Sequence, residues 1–192
     1  MDKQKVTAFA PATVANVSCG FDILGFAIED LGDKVSVSLS DTPGVRVVKI
    51  TGDNGKLPYE SEKNTCSVAV KAMVDNLGFK GGLEIELYKG LPLGSGMGSS
   101  AASAVAALMA TNALLGNPYE KKDLLPFGIE SERIACGAGH ADNISPSLLG
   151  GFVLIREYKP LDVIPLHVPR GLYCTLIHPH LELNTSDSRS VL

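Results

Sequence analysis

The stretch Pro92–Ser103, PLGSGMGSSAAS, decides how this chain is read. It sets Gly94, Gly96 and Gly98 ahead of the hydroxyls of Ser99 and Ser100, then gives way to an alanine-rich run. Glycine carries no Cβ, so these positions are free to take positive φ and turn consecutive backbone N–H groups toward one anion. A helix opening at Ser99 adds first-turn N–H groups without intrahelical partners and the positive end of a helix dipole. Together they form a cradle suited to the phosphates of a nucleotide.

The flanks place this cradle between a strand and a helix. Leu83, Ile85 and Leu87 alternate with Glu84, Glu86 and Tyr88, the period-2 pattern of a half-buried strand. After the loop, AASAVAALMATNALL is apolar on nearly every side and stops at Gly116-Asn117-Pro118, which reads as a buried helix. Two common phosphate loops do not fit. A Walker A loop requires Lys before Ser/Thr, and no lysine lies between Lys89 and Lys121; a dinucleotide fingerprint requires G-x-G-x-x-G, and here the third glycine comes too early. The competing structural reading is a Gly/Ser turn that simply caps a core helix.

Pro92–Ser103 resembles the central motif of the GHMP kinases. PATVANVSCGFDILGFA, from Pro11 to Ala27, resembles the N-terminal motif of the homoserine kinases within that superfamily, and HADNISPSLLGG, from His140 to Gly151, resembles their third motif. The resemblance implies an α+β fold. Residues 1–165 would form a GHMP kinase N-terminal ATP-binding domain, a ribosomal S5 domain 2-like mixed sheet with helices. Residues 166–192 would begin a ferredoxin-like C-terminal domain that family members carry to greater length, so that the chain as given is expected to bind nucleotide weakly and turn over poorly.

Composition agrees with a globular domain. Of 192 residues, 45% are hydrophobic, and 17 basic against 21 acidic side chains leave a net charge of −4 with the lysines and arginines dispersed. No basic face recommends nucleic acid, and no apolar run approaches a membrane span. MDKQKVTAFA lacks the apolar core of a signal peptide, so the expected location is the cytoplasm. Cys19, Cys66, Cys136 and Cys174 show no C-x-x-C spacing and are expected as reduced core thiols, with Cys19 able to line a pocket.

Along the chain, residues 6–10, 35–39, 45–50, 151–156 and 172–178 are expected as strands, with residues 11–27 a loop after the first. Asn64–Leu77 carries an apolar face and a Gly78 stop. A helix begins near Asn117-Pro118 and is broken or kinked at Pro126, leaving a second segment around residues 128–135, and the stretch with Pro160, Pro165 and Pro169 is the candidate domain boundary.

The resemblance also assigns roles. ATP would lie along Pro92, Leu93, Gly94, Ser95, Gly96, Met97, Gly98, Ser99, Ser100, Ala101 and Ala102, with Asn64 near the adenine; the competing task for Asn64 is to cap the helix it opens. Mg²⁺ would be held by Ser100 and Glu132, with Glu130 the second choice. The acceptor implied is L-homoserine: Asp22 for its ammonium, Asn16 for its carboxylate or hydroxyl, and Thr185 and Arg189 at its carboxylate. The alternatives are an Asx-turn pair for Asn16 and Asp22 and a surface arginine for Arg189. Ser18-Cys19 stand where the family usually has Gly-Pro or a similar pair. His140 and Asn143 would contact the acceptor hydroxyl, and Asp142 resembles the general base of mevalonate-type kinases. The activity implied is transfer of the ATP γ-phosphoryl to homoserine, in threonine biosynthesis, with a homodimer the candidate assembly. Other GHMP small-molecule kinases, mevalonate-like or diphosphocytidyl-methylerythritol kinases, and a non-catalytic S5-like module are the alternatives.

Overall fold

In the computed structural model, which describes residues 4–137 and 139–177, four helices pack with a six-stranded sheet. The strands are β1 (Lys5–Val17), β2 (Gly20–Ser40), β3 (Gly44–Thr51), β4 (Gly82–Tyr88), β5 (Phe152–Tyr158) and β6 (Leu161–Leu166). The helices are α1 (Thr65–Leu77), α2 (Ser99–Leu114), α3 (Leu125–Cys136) and the short α4 (Ile144–Leu149), with a 3-10 turn at Lys121–Leu124. The long strand β2 organises the sheet. It pairs antiparallel with β1 along one side; on the other its later half, Lys34–Ser40, pairs with β4 and its earlier residues, Leu24–Phe26, pair with β5. β3 joins β4 in parallel and β6 joins β5 antiparallel. This is the mixed α+β sheet expected.

The core lies between sheet and helices. Val35, Val37, Leu83, Ile85 and Leu87, from alternate positions of β2 and β4, are buried with Val70 and Met73 of α1 and Ala104, Val105 and Leu108 of α2. Each such Val, Leu or Met contributes about 1.5–3 kcal/mol on burial. α2 is alanine-rich and enclosed on nearly all sides because it packs on the sheet, α1 and α3 together. Its direction fixes where the loop before it points.

Local signals explain most element ends. Asn64 caps α1 by accepting from Cys66 N at 3.0 Å, and Gly78 closes it with φ of 73°. After α2, Asn112 grips Tyr119 through both its amide ends, at 2.9 and 3.2 Å, which turns the chain back.

Several expectations change. Residues 11–27 are not a loop: β1 and β2 run on as one hairpin, with register shifts after Pro11 and Ala15 and positive φ at Asn16, Ser18 and Asp22 absorbing the residues that read as breakers. Pro126 opens α3 rather than breaking a helix, because a first-turn residue needs no N–H. The proline-bearing stretch contains β6, where Pro165 sits on an edge strand that tolerates a missing donor. No strand forms over 172–177: Leu172, Tyr173 and Ile177 are 61%, 92% and 88% exposed, and β propensity without a neighbouring ladder does not make a strand. Cys19 and Cys174 are exposed, so of the described thiols only Cys66 is a core residue. Among the described residues no helix is long and apolar enough to cross a membrane.

Candidate active site

The loop between β4 and α2 takes the conformation its glycines permit: Gly94, Gly96 and Gly98 have φ of 66°, 68° and 63°. Gly96 faces open space. No side chain caps the first turn of α2, and Ser95 Oγ is buried without a hydrogen-bond partner. An uncapped helix start and an orphaned hydroxyl in a left-handed glycine loop fit a bound phosphate chain, which would supply the missing acceptors.

Beneath this loop lies a feature that sequence reading missed. Lys89, the residue after β4, has a side chain only 1% exposed, and its ammonium pairs with the carboxylate of fully buried Asp33 on β2. Lys89 Nζ also donates to Ser99 O at 3.0 Å, Ser99 Oγ at 2.6 Å and Ser103 Oγ at 2.8 Å. Asp33 in turn accepts from Ser103 Oγ at 2.6 Å and from the backbone N–H groups of Gly90 and Leu91 at 2.9 and 3.1 Å. One ion pair thus ties two strands, the loop's entry and the first turn of α2. The only signal in the sequence was a lysine just before the loop, and its partner stands 56 residues earlier.

Ser100 and Glu132 come together as expected. Ser100 Oγ donates to Glu132 Oε1 at 2.9 Å, and Glu132 is buried at 4% exposure on α3. Two hard oxygen ligands beside a phosphate cradle fit a Mg²⁺ that takes its remaining ligands from phosphate and water. Glu130, two residues away, is half-exposed and pairs with Arg133 at 3.1 Å, a surface ion pair.

The acceptor candidates gather at the other end of the hairpin. Asn16 Oδ1 accepts from Asp22 N at 2.9 Å, a bond across the hairpin between residues six apart that orders this tip. His140 Nδ1 lies 3.6 Å from Asp22 Oδ1, while His140 Nε2 is buried without a partner. Tyr158 hydroxyl donates to Asp22 O at 2.9 Å and accepts from Ala141 N at 3.4 Å, linking the two motifs from β5. Asp142 is buried; its Oδ1 accepts from Asn143 N at 3.1 Å, and burial first, then the nearby Asp22 carboxylate, raise its pKa above the ordinary value. A Cβ on Gly25 would stand 2.2 Å from Asp142 O, so this glycine lets β2 approach the third motif.

Asn143 joins both ends of the site. Its Oδ1 accepts from Thr13 Oγ1 at 2.7 Å, and Thr13 N donates to Met97 O at 3.1 Å. Thr13 was not singled out from sequence. Asn64 stands apart: it is 3% exposed, its Nδ2 donates to Pro58 O at 2.9 Å and its Oδ1 caps α1, so both ends of its amide are engaged and capping is the task observed. Thr185 and Arg189 lie outside the described residues.

Residues 64–151 match the model of the GHMP kinases N terminal domain. Homoserine kinase of Chloroherpeton thalassium is 53% identical over 98% of this chain and 62% of its own length, and that of Chlorobium phaeobacteroides strain BS1 is 52% identical over 97% and 62%. The crystal structure of homoserine kinase from Cytophaga hutchinsonii superposes with a TM-score of 0.95 at 58% identity, covering 100% of this chain and 61% of that one. Nearly the whole chain is thus similar to homoserine kinases, and residues 64–151 match the GHMP kinase N-terminal domain. Its sheet and helices are the N-terminal domain fold of that family. It spans about 62% of the length of the curated GHMP kinases it matches. The fold reaches further, to mevalonate kinase of Methanococcus jannaschii, with a TM-score of 0.66 at 15% identity, a likeness of fold alone.

Proposed function

We propose that the whole protein is an ATP-dependent homoserine kinase, transferring the γ-phosphoryl of ATP to the side-chain hydroxyl of L-homoserine to give O-phospho-L-homoserine and ADP, on the route to threonine. Residues 1–165 would be its ATP-binding domain and residues 166–192 the start of a second domain. The observation that carries this reading is the meeting of three distant segments at one point: Thr13 of the first motif touches Met97 of the phosphate loop and Asn143 of the third. A donor cradle thereby adjoins an acceptor pocket.

The chemistry asks for positioning and charge stabilisation more than for covalent help. The backbone of residues 92–102 would hold the phosphates, supported by Lys89 under the first turn of α2. Ser100 and Glu132 would hold Mg²⁺, which when bound neutralises charge on the phosphate oxygens. Asp22 would take the homoserine ammonium and Asn16 order the same tip; Thr185 and Arg189 would meet the carboxylate. Asn143 and His140, with its unpartnered Nε2, would contact the acceptor oxygen. Asp142 is buried and bonded to Asn143 N, which favours a role in shaping the third motif over direct proton abstraction. A loose transition state permits this, since the hydroxyl proton need not leave before the oxygen attacks phosphorus.

The test is ADP release by the whole protein with ATP, Mg²⁺ and, in turn, homoserine, mevalonate and galactose. Homoserine alone should support turnover, and Asp22→Asn should raise the KM for homoserine far more than that for ATP. Turnover with another acceptor and none with homoserine would overturn the substrate assignment.

A further inference from the structure

Thr13 lies on β1 with no exposed surface, and its two polar groups point to different motifs. Its backbone N–H donates to Met97 O in the phosphate loop; its hydroxyl donates to Asn143 Oδ1 at 2.7 Å. Gly98 completes the contact: a Cβ there would stand 2.0 Å from Thr13 Oγ1 and 2.8 Å from Asn143 Oδ1. The loop's last glycine is therefore the gap through which this hydrogen bond is made.

A carboxamide has an accepting end and a donating end, and a half-turn about its last torsion exchanges them. Once Oδ1 is held by a fully buried hydroxyl, the end that half-buried Asn143 can offer a ligand is Nδ2, with two N–H donors. We propose that Thr13 is a positioning residue that fixes the Asn143 amide, so that Asn143 meets the reacting oxygens as a hydrogen-bond donor and not as a proton acceptor. This rests on the proposed placement of Asn143 at the acceptor. Donors held in place before reaction stabilise developing negative charge at little reorganisation cost, whereas an amide free to turn over has to be oriented by the anion during the reaction.

The test uses the whole protein and three variants. Thr13→Val keeps shape and the backbone bond to Met97 but removes the hydroxyl, so kcat with homoserine should fall by roughly 10- to 100-fold, less than the roughly 100- to 1,000-fold that loss of a positioned donor itself costs, while KM for ATP stays within about twofold. Thr13→Ser should restore most of kcat. Asn143→Asp should be nearly inactive at neutral pH, where one carboxylate oxygen faces the anion, and should recover as pH falls and that oxygen gains a proton. The side-chain amide of Asn143 in ¹⁵N–¹H spectra reads the same bond without turnover: Thr13→Val should broaden or shift it and Thr13→Ser should not. If wild type phosphorylates no acceptor, the kinase reading falls and this signal alone decides the role of Thr13. Unchanged kcat and unchanged amide signals in Thr13→Val, or an Asn143→Asp as active as wild type at neutral pH, would overturn the proposal.

Discussion

Replacing Asp33 by Asn should destabilise the protein more than any surface change, for reasons that can be counted. The carboxylate is fully buried and receives the Lys89 ammonium, the Ser103 hydroxyl and the N–H groups of Gly90 and Leu91. Asn keeps an oxygen for the two backbone donors but leaves Lys89 charged and unpaired at 1% exposure, and breaking one side of a buried pair costs about 3–5 kcal/mol. Asp33→Ala also orphans the two N–H groups, at about 1–3 kcal/mol for each buried group left unsatisfied, so it should be worse than Asn by at least about 2 kcal/mol. Losses of this size approach the roughly 5–15 kcal/mol by which a domain is stable at all. Replacing both charges, Asp33→Asn with Lys89→Met, should recover much of the loss, because the amide oxygen still serves the Gly90 and Leu91 N–H groups and no buried charge is left behind. Urea denaturation followed by far-ultraviolet circular dichroism measures all four proteins. An Asp33→Asn variant within about 1 kcal/mol of wild type, or a double variant less stable than Asp33→Asn, would show that Asp33 and Lys89 do not behave as a buried ion pair.

Gly98→Ala should fold poorly and lose nucleotide affinity: a non-glycine left-handed residue costs about 1–2 kcal/mol, and its Cβ would also strike Thr13 Oγ1 at 2.0 Å. Melting temperature and ATP titration check this, and a stable, fully binding variant would contradict it. Asp142 holds its proton to higher pH when folded than its unfolded value near 3.8, so ionising it disfavours folding; the penalty is absent below that value and develops as pH rises through the folded pKa. Asp142→Asn should therefore gain stability relative to wild type between pH 3 and pH 7, and a difference that is flat or shrinks over that range would be evidence against the burial argument. Burial pushes the Cys66 thiol up to about 12, so iodoacetamide with peptide mapping should label Cys19 and Cys174 in the folded protein and spare Cys66. Labelling of Cys66 at the rate of Cys19 would contradict its enclosure.

What could be read from sequence was local. The phosphate loop, the Asn64 cap, the Gly78 stop and the alternation of β4 each rest on residues within one turn or one strand, where propensity and periodicity act directly. Ser100 and Glu132 came from motif likeness, and the fold brings them within hydrogen-bond distance. The Thr13–Asn143 bond joins residues 130 apart and the Asp33–Lys89 pair residues 56 apart, and no local pattern marks either. The hairpin over residues 11–27 was hidden by its own irregularity: Pro11, Gly20 and Gly25 signal turns, yet bulges and three left-handed residues carry the ladder past them. Six-residue α4 is too short to show a period, and β6 carries a proline that only its edge position permits. The exposed apolar residues at 172–177 looked like a strand because β propensity records side chains and not partners.

In the proposed function a phosphate cradle and an acceptor pocket, joined through Thr13, Gly98 and Asn143, transfer phosphate to homoserine. ³¹P nuclear magnetic resonance of the whole protein with ATP, Mg²⁺ and L-homoserine follows that transfer directly. A phosphomonoester signal should grow in step with ADP and be lost in Asn143→Asp at neutral pH. Intact ATP, or ATP hydrolysed to inorganic phosphate with no phosphomonoester formed, would contradict it.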